Sequence, residues 1–352
     1  MNVGQQIAEH LVERSRLSTA VVFAAEDHPV EDNTPFAMFP GVIADPKADR
    51  LHMMNPQGGI DAVELASGHL LWTSSAAGKP LAVFDDRLAA QADAPGVSRS
   101  LPIVFLDTKN GRVVSRAEIP IPPSATRPSI DDGMVAASSV QARVISQGLL
   151  VSWTVTSRPV RPIPAPVNVR NESGAAIINL QSNKVTALAP DQAANMLRGK
   201  TSAATPSLSG TEGLYFPPQP AGRFFVSLKL GAASEGQRAV MKRWSETGEP
   251  LGDIELGPGF VAYAISADQS LLLVVSGSSG PRYVWSLYTI ANGQRVAEVR
   301  LPDSAAQSFF LWHSILIYRS AAMHGVDLRT GKEIWTRALR DTSYHGSYPP
   351  RP

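Results

Sequence analysis

The sequence contains no cysteine. This excludes disulfide bonds, thiolate metal ligands, a cysteine nucleophile and lipid attachment through a cysteine. It also lacks an apolar run of the roughly 18 residues that a membrane-spanning helix requires. Neither charge sign is in excess, with 32 Lys+Arg against 31 Asp+Glu. Because no basic stripe stands out that would neutralise a phosphate backbone, nucleic acid is not expected as a partner.

What is present is a large apolar fraction. Hydrophobic residues make up 43% of the 352 residues, which is enough for a substantial core and argues against disorder. All-β folds of this length often form one domain. A single folded unit is therefore a reasonable starting expectation.

The first 35 residues allow two interpretations. Leu17–Ala25 is short and apolar like the core of a signal peptide, but Glu9 and Glu13 interrupt a positive leader. We favour a short helix over Gln5–Arg16 followed by a strand. On this basis a cytoplasmic location is favoured, with a periplasmic or secreted location as the alternative.

The most informative feature is an internal repeat. Gly325–Trp335 (GVDLRTGKEIW) and Ala62–Trp72 (AVELASGHLLW) share an eleven-residue pattern. Both place an acid four residues before a glycine, a hydroxyl residue one before it, and a tryptophan four after it. A shared pattern of this length indicates copies of one structural unit.

Weaker copies lie between these two. They keep an apolar strand, a turn residue and an outgoing strand, and one of them retains the acid as Asp107. Counting all copies, the turns centre on Gly68, Gly111, Asn183, Gly248, Gly293 and Gly331.

The copies are expected to be β-hairpins. Glycine and asparagine accept the positive φ of a tight turn, and the preceding acid and hydroxyl can bond to turn N–H groups. Three of the five spacings between turns lie in or near the range of roughly 40 to 50 residues typical of a four-stranded propeller blade. The tryptophans are expected to cover the sheet of the neighbouring unit.

We therefore predict an all-β fold, a β-propeller of six or seven four-stranded antiparallel blades. Residues 1–35 are predicted to form an extension, 36–345 the propeller and 346–352 a tail. Ser18–Phe23 together with the C-terminal tail is the candidate for a seventh unit that closes the ring and removes exposed strand edges.

The Asp-x-x-Thr-Gly-x-x-x-Trp pattern of Asp327, Thr330, Gly331 and Trp335 resembles the tryptophan-docking motif of quinoprotein (PQQ-like) propellers. Glu64, Ser67, Gly68 and Trp72 form the second good match. The resemblance implies a structural role in joining blades for these residues and for the corresponding Asp107, Gly111, Gly248 and Gly293. It covers about residues 36–340.

The same resemblance favours the non-enzymatic branch over the quinone-dependent dehydrogenases. Many of those enzymes stack the quinone on a disulfide of adjacent cysteines, and they hold calcium or a lanthanide beside it. This sequence has no cysteine and no acidic cluster assignable as metal ligands. No cofactor, metal site or catalytic residue is predicted. BamB-like assembly factors are anchored through a cysteine, which is also absent.

Other candidate groups have structural interpretations. His69 and His324 fall in a turn and a strand of the repeat, and no histidine pair has metal-ligand spacing. The pairs Asp85–Asp86 and Asp131–Asp132 lie beside turns, where aspartate is common.

The leading functional hypothesis is a non-catalytic scaffold that binds another protein through its faces or loops. The proline-rich segment Ser157–Pro166, with Arg158 and Arg161, is predicted to be a stiff partner-contact loop. The alternative is an enzyme or small-ligand binder with a site in the central channel, such as a hydrolase, a lactonase or a quinoprotein dehydrogenase. That alternative depends on fold analogy alone.

Overall fold

The structure, a computed structural model, describes residues 36–38, 41–92, 100–121, 134–159, 170–189, 192, 208, 219–221, 223–230, 239–257, 259–266, 268–277, 282–302, 305 and 309–340. The predicted N-terminal helix and ring-closing strand lie outside these residues. So do Arg161, the Asp131–Asp132 pair and the tail after residue 345.

The described residues form six antiparallel sheets, which we number as blades in chain order. Blade 1 contains β1 (Phe36–Met38), β2 (Val42–Asp45), β3 (Arg50–Met54), β4 (Ile60–Glu64) and β5 (Leu70–Ser74), with a 3-10 turn at Pro46–Ala48. Blade 2 contains β6 (Lys79–Phe84), β7 (Arg87–Gln91), β8 (Ser100–Asp107) and β9 (Val113–Pro120). Blade 3 contains β10 (Met134–Ile145), β11 (Gly148–Pro159), β12 (Arg170–Ile178) and β13 (Val185–Leu188).

The second half of the chain repeats this arrangement. Blade 4 contains β14 (Gln219–Ala221), β15 (Phe224–Leu230), β16 (Ala239–Ser245) and β17 (Pro250–Gly257). Blade 5 contains β18 (Phe260–Ile265), β19 (Leu271–Ser276), β20 (Arg282–Thr289) and β21 (Arg295–Pro302). Blade 6 contains β22 (Phe309–Trp312), β23 (Ile315–Arg319), β24 (Ala322–Asp327) and β25 (Lys332–Ala338).

Each strand pairs with its neighbours in sequence, so every blade is a simple meander. The predicted all-β propeller of four-stranded blades is confirmed, with six blades in the described part of the chain. Blade 1 differs from the prediction because β1 adds a fifth strand through pairing of Ala37 with Ile43.

The burial of a strand reflects whether it lies in the middle of its blade or at the outer edge. The second strand of blade 5 is buried continuously from Leu272 to Val275, because a middle strand is covered by a neighbouring blade on each face. The outermost strand β21 is mostly exposed and alternates towards its end. Continuous apolar runs therefore predict inner strands, and mixed runs predict the rim.

The core lies between the blades rather than in one centre. Apolar clusters join blades 1 and 2, blades 2 and 3, blades 4 and 5, and blades 5 and 6. A further cluster packs Leu51 and Met53 of blade 1 against Ile317 and Met323 of blade 6. Each such fully buried side chain contributes roughly 1.5–3 kcal/mol. Packing of the first blade on the last closes the ring between the two ends of the described chain.

The proline-rich insertion begins later than its composition indicated. Arg158 lies in β11 and pairs with Val135, and Ser157 pairs with Ala136 and Arg170. Backbone pairing on both sides of Ser157 extends the strand to Pro159, which is its last residue. Arg158 is thus a strand residue rather than part of a loop. Across the described ranges, no helix has the length and apolarity to span a membrane.

Candidate functional site

The turns between the last two strands of five blades have one geometry. The N–H of the turn's glycine or asparagine donates to the carbonyl four residues earlier, at 2.7–2.9 Å. The same residue has φ between 56° and 70°, where L side chains are strained and glycine or asparagine is favoured. These turns centre on Gly68, Gly111, Asn183, Gly293 and Gly331. The turn of blade 4 is shorter, because Gly248 N–H donates to Ser245 O.

The acid at the start of the turn caps its backbone. Asp107 Oδ1 accepts from the N–H of Lys109 at 2.7 Å, and Asp327 Oδ1 accepts from the N–H of Arg329 at 2.9 Å. In blade 3, Asn179 takes this position and accepts from two backbone N–H groups. The Glu64 carboxylate instead accepts from the Ser67 hydroxyl. The bonds of Asp107, Asp327 and Asn179 satisfy backbone N–H groups that the turn leaves unpaired.

Trp335 joins the last blade to the first. Its indole covers Gly68, so a Cβ added to that glycine would lie 2.6 Å from Trp335 Cγ. Its Nε1–H donates to Leu65 O at 3.0 Å, and Arg337 Nε–H donates to Gly68 O at 2.7 Å. The indole is 7% exposed. This contact ties together residues 270 positions apart in sequence.

Trp72 repeats the arrangement one blade further on. It covers Gly111, where an added Cβ would lie 2.5 Å from Trp72 Cε3. Its Nε1–H donates to Thr108 O at 2.9 Å. Leu65 and Thr108 hold the same place in their turns, three residues before the glycine. The third residue before the glycine therefore supplies the acceptor for the neighbouring blade.

Arg243 of β16 takes the place of the indole between blades 4 and 5. Its guanidinium donates to Ile290 O at 2.7 Å, to Ala291 O at 3.0 Å and to Leu251 O at 2.9 Å. Ile290 lies three residues before Gly293, so the acceptor position is the one used by the tryptophans. A Cβ on Gly293 would lie 3.0 Å from an Arg243 nitrogen. Desolvation lowers the pKa of Arg243.

At the position of these tryptophans, a large side chain on one of a blade's last two strands faces a small side chain on the other. Trp72 faces Ala62, and Trp335 faces Gly325. In blade 4 the order is reversed, and Arg243 of the third strand faces Gly252 of the fourth. The pairs of blades 2 and 5 follow this reversed order, and are Phe105–Ser115 and Leu287–Ala297. In these five blades one bulky group therefore faces a small one at the same position.

Arginines of β3 and β7 add bonds to the same acceptor position, the carbonyl three residues before the turn's glycine or asparagine. Arg50 Nη1 donates to Thr108 O at 2.6 Å, and Arg87 Nη1 donates to Leu180 O at 3.1 Å. Ser115 Oγ of blade 2 also donates to Asn183 Oδ1 of blade 3 at 3.1 Å. The sequence analysis singled out none of these three polar side chains. A long donor in an inner strand is the signal that would have found the two arginines.

His52 lies inside the contact between blades 1 and 2. It is 0% exposed, and neither ring nitrogen has a hydrogen-bond partner. Its ring centroid lies 5.5 Å from that of Trp72. Desolvation, and after it the Arg50 charge, lowers the pKa of His52 to about 3. The imidazole is therefore neutral throughout the physiological range.

Blade 6 carries a second group of titratable side chains. His324 Nε2 lies 2.9 Å from Ser320 Oγ, and His324 Nδ1 lies 2.8 Å from Glu333 Oε2. Thr336 Oγ1 lies 3.1 Å from the same Nδ1. Tyr318 stacks on the imidazole with the centroids 4.7 Å apart. The sequence assigned His324 a place in a strand, and it did not identify Ser320 or Glu333 as its partners.

Two further acidic or histidine groups form local contacts. Asp85 occupies a hairpin tip at φ 48°, and Asp86 forms an exposed ion pair with Lys109. His313 pairs with Asp268 at 3.2 Å. Over the described residues, three or more histidine, aspartate or glutamate side chains nowhere gather in a way that could hold a metal ion.

The last strands of five of the six described blades contain a β-bulge three residues after the turn's glycine. The extra residue is Leu71, Val114, Leu251, Val296 or Ile334. Each of these side chains is exposed, to between 37% and 48%. With Leu70 and Val113 they form what we call the rim row. Blade 3 lacks the bulge in its register, and its residue at this position is Thr186.

Comparison with known proteins points to one repeat type. Residues 56–212 match a family model of PQQ-type repeats described as outer membrane protein assembly factor BamB. No curated protein sequence gives a significant match.

Three solved structures match most of this chain at low sequence identity. A europium-containing methanol dehydrogenase is 12% identical, with 88% of this chain and 80% of that chain covered and a TM-score of 0.31. BamB from Moraxella catarrhalis is 12% identical, with 89% and 87% covered and a TM-score of 0.25. Dihydro-heme d1 dehydrogenase NirN is 14% identical, with 87% and 67% covered and a TM-score of 0.33.

The glycine-centred turns recur in six antiparallel sheets, and the matched segment covers the turns of blades 1 to 3. The described part of the chain is a β-propeller, and residues 56–212 are similar to PQQ-type repeats.

Proposed function

We propose that this propeller is a scaffold that binds another protein through the rim row, a role that requires no chemistry from its side chains. The observation that carries the proposal is the position of the exposed apolar groups. Of the eight large apolar side chains exposed in the described part of the chain, seven belong to the rim row. Scattered exposed apolar residues need no explanation, but their concentration at one repeat position does.

The rim row follows the joints between three blades. Trp335 lies on Gly68; the exposed Ile334 precedes that indole in sequence, and Leu70 follows that glycine by two residues. Trp72 lies on Gly111; Leu71 precedes that indole, and Val113 follows that glycine by two residues. Rim-row residues therefore lie within two residues in sequence of both partners at the joints between blades 6, 1 and 2.

The backbone beside the row favours an extended partner segment. The last strand of each blade lies at the end of the strand order of its sheet, so its outer edge can pair with an added strand. The net charge of +1 supplies no strong field for a polyanion. An extended protein segment with apolar side chains matches both the free edge and the row.

The test compares the intact chain with a Leu71→Ser and Val114→Ser double variant in cross-linked capture from extracts of the native host. Val144→Ser is the matched control, because Val144 is 41% exposed but lies in β10, away from the row. We expect the recovery of a specific partner to fall at least tenfold with the double variant and to remain unchanged with the control.

Equal recovery by all three proteins would overturn the proposal, as would the absence of any specific partner of the intact chain. Unfolding midpoints of the three proteins show whether the substitutions acted on the surface alone. Shortening of residues 160–166 tests the other partner-contact candidate, the predicted loop that contains Arg161. Loss of the partner on that change alone would transfer the role from the rim row to the loop.

A further inference from the structure

The Ser320, His324 and Glu333 side chains lie in one line on blade 6. Ser320 lies at the hairpin tip between β23 and β24, where its N–H donates to Ala322 O at 2.8 Å. His324 lies in β24, opposite Tyr318 on one side and Thr336 on the other. Glu333 follows the last turn of the blade and reaches back to the imidazole. Three consecutive elements of one sheet thus hold the three groups.

The hydrogen-bond partners determine the tautomer of the imidazole. An ionised carboxylate only accepts hydrogen bonds, so His324 Nδ1 carries the proton that faces Glu333. The other nitrogen, Nε2, is then the acceptor in neutral histidine, and Ser320 Oγ–H donates to it over 2.9 Å. Hydrogen bonds from Thr336 and then from His324 lower the pKa of Glu333, which keeps it ionised.

The surroundings restrict the imidazole while leaving the serine accessible. The Tyr318 ring stacks nearly parallel to it, at 14°, and the His324 side chain is 17% exposed. Ser320 is partly exposed at the hairpin tip, and Ala321 beside it is exposed. A nucleophile on a tight turn next to a packed base is the arrangement that serine hydrolases use on unrelated folds.

We propose that Ser320 is a nucleophile activated by His324, with Glu333 as the positioning residue, and that this site hydrolyses carboxylic esters. The proposal goes beyond the binding role of the rim row and does not depend on it. A nucleophile must contact its base, and the base must contact the group that orients it. The distance of 2.9 Å from Ser320 Oγ to His324 Nε2 meets the first requirement, and that of 2.8 Å from His324 Nδ1 to Glu333 Oε2 meets the second.

In the first half of the reaction, Ser320 Oγ bonds to the ester carbonyl carbon while its proton moves to His324 Nε2. The bond from that carbon to the alcohol oxygen then breaks, and the alcohol leaves with the proton from His324. In the second half, water attacks the acyl-serine and gives a proton to His324 Nε2. The Ser320 Oγ–carbon bond breaks, the serine regains the proton, and the carboxylic acid is released. The backbone N–H of Ala321 follows the nucleophile and is the donor we assign to the developing oxyanion.

The test uses the full chain, a fluorophosphonate probe and p-nitrophenyl acetate. Peptide mass spectrometry should find the probe on Ser320, and Ser320→Ala should abolish that label. His324→Gln and His324→Asn should each slow labelling and hydrolysis at least tenfold. Glu333→Gln should lower kcat about tenfold and leave KM within twofold, as expected of a positioning residue.

Ser67→Ala is the matched control. Ser67 is a turn serine bonded to a glutamate, Glu64, but it contacts no imidazole through its side chain. We expect Ser67→Ala to leave both rates unchanged. Labelling of Ser320 no faster than labelling of Ser67 would overturn the proposal. So would rates that are unaffected by both His324 variants while their unfolding midpoints match the parent protein.

Discussion

Replacement of His52 by leucine should remove a pH-dependent loss of stability that the folded structure imposes. The imidazole is 0% exposed beside Trp72, and no hydrogen bond satisfies either nitrogen. Its pKa is about 3 in the folded protein, against an ordinary value of 6.5. Leucine has a similar volume and carries no titratable atom, so it tests the buried nitrogens with little change in packing.

The direction of the pH effect on stability follows from the pH at which the folded and the unfolded chain each protonate His52. Below pH 6.5 the unfolded chain protonates His52, whereas the folded chain does so only near pH 3. The unfolded state therefore binds more protons between these values, and stability falls as the pH falls through that window, by about 1.4 kcal/mol per pH unit. From pH 7.5 to pH 5 the loss amounts to about 2 kcal/mol.

The assay is urea unfolding of the parent protein and of His52→Leu at pH 7.5 and pH 5. We expect the variant to gain about 2 kcal/mol relative to the parent between the two pH values. His69→Gln is the control, because His69 is exposed, and it should give no such gain. A difference between His52→Leu and the parent that stays constant over the pH range would refute a buried, neutral His52.

Three further substitutions probe the joints between blades. Trp72→Phe keeps an aromatic ring on Gly111 but removes the bond to Thr108 O, so thermal and urea unfolding should show a loss of about 1–3 kcal/mol. Arg243→Met leaves the carbonyls of its three acceptors unmet and should cost about 3–5 kcal/mol in the same assay; a loss below 1 kcal/mol would contradict its place in the joint. Asp107→Ala removes the turn cap and should cost about 1 kcal/mol, whereas Asp107→Asn should restore most of it.

The sequence was sufficient to locate the hairpins, because the turns depend on local chemistry. A positive φ requires glycine or asparagine, as Gly331 and Asn183 show, and a preceding acid or amide caps the turn. Both constraints act within a few residues, so they leave a readable pattern. Confirmation of the all-β fold follows from this local signal, repeated six times along the chain.

The groups that cross between blades were harder to predict. Arg243 looks like an ordinary strand arginine, and its role follows only from its pairing with Gly252 across two strands. The line from Ser320 to His324 and Glu333 combines two hairpins of blade 6. Such contacts depend on register, and a bulge at Ile334 shifts that register by one residue. β1 was also missed, because a three-residue edge strand carries almost no periodic signal.

The most direct test of the account is a double-mutant cycle between Trp335 and Gly68, which joins the last blade to the first. Gly68→Ala alone should be severely destabilising, because its φ is 64° and its new Cβ would lie 2.6 Å from Trp335 Cγ. In the Trp335→Gly background, which also removes the Trp335 Cβ at 2.8 Å, the clash is absent and only the backbone strain of about 1–2 kcal/mol remains. We therefore predict a coupling free energy above about 1 kcal/mol from urea unfolding. Effects that add within about 0.5 kcal/mol would mean that the indole does not lie on Gly68, and would contradict closure of the ring.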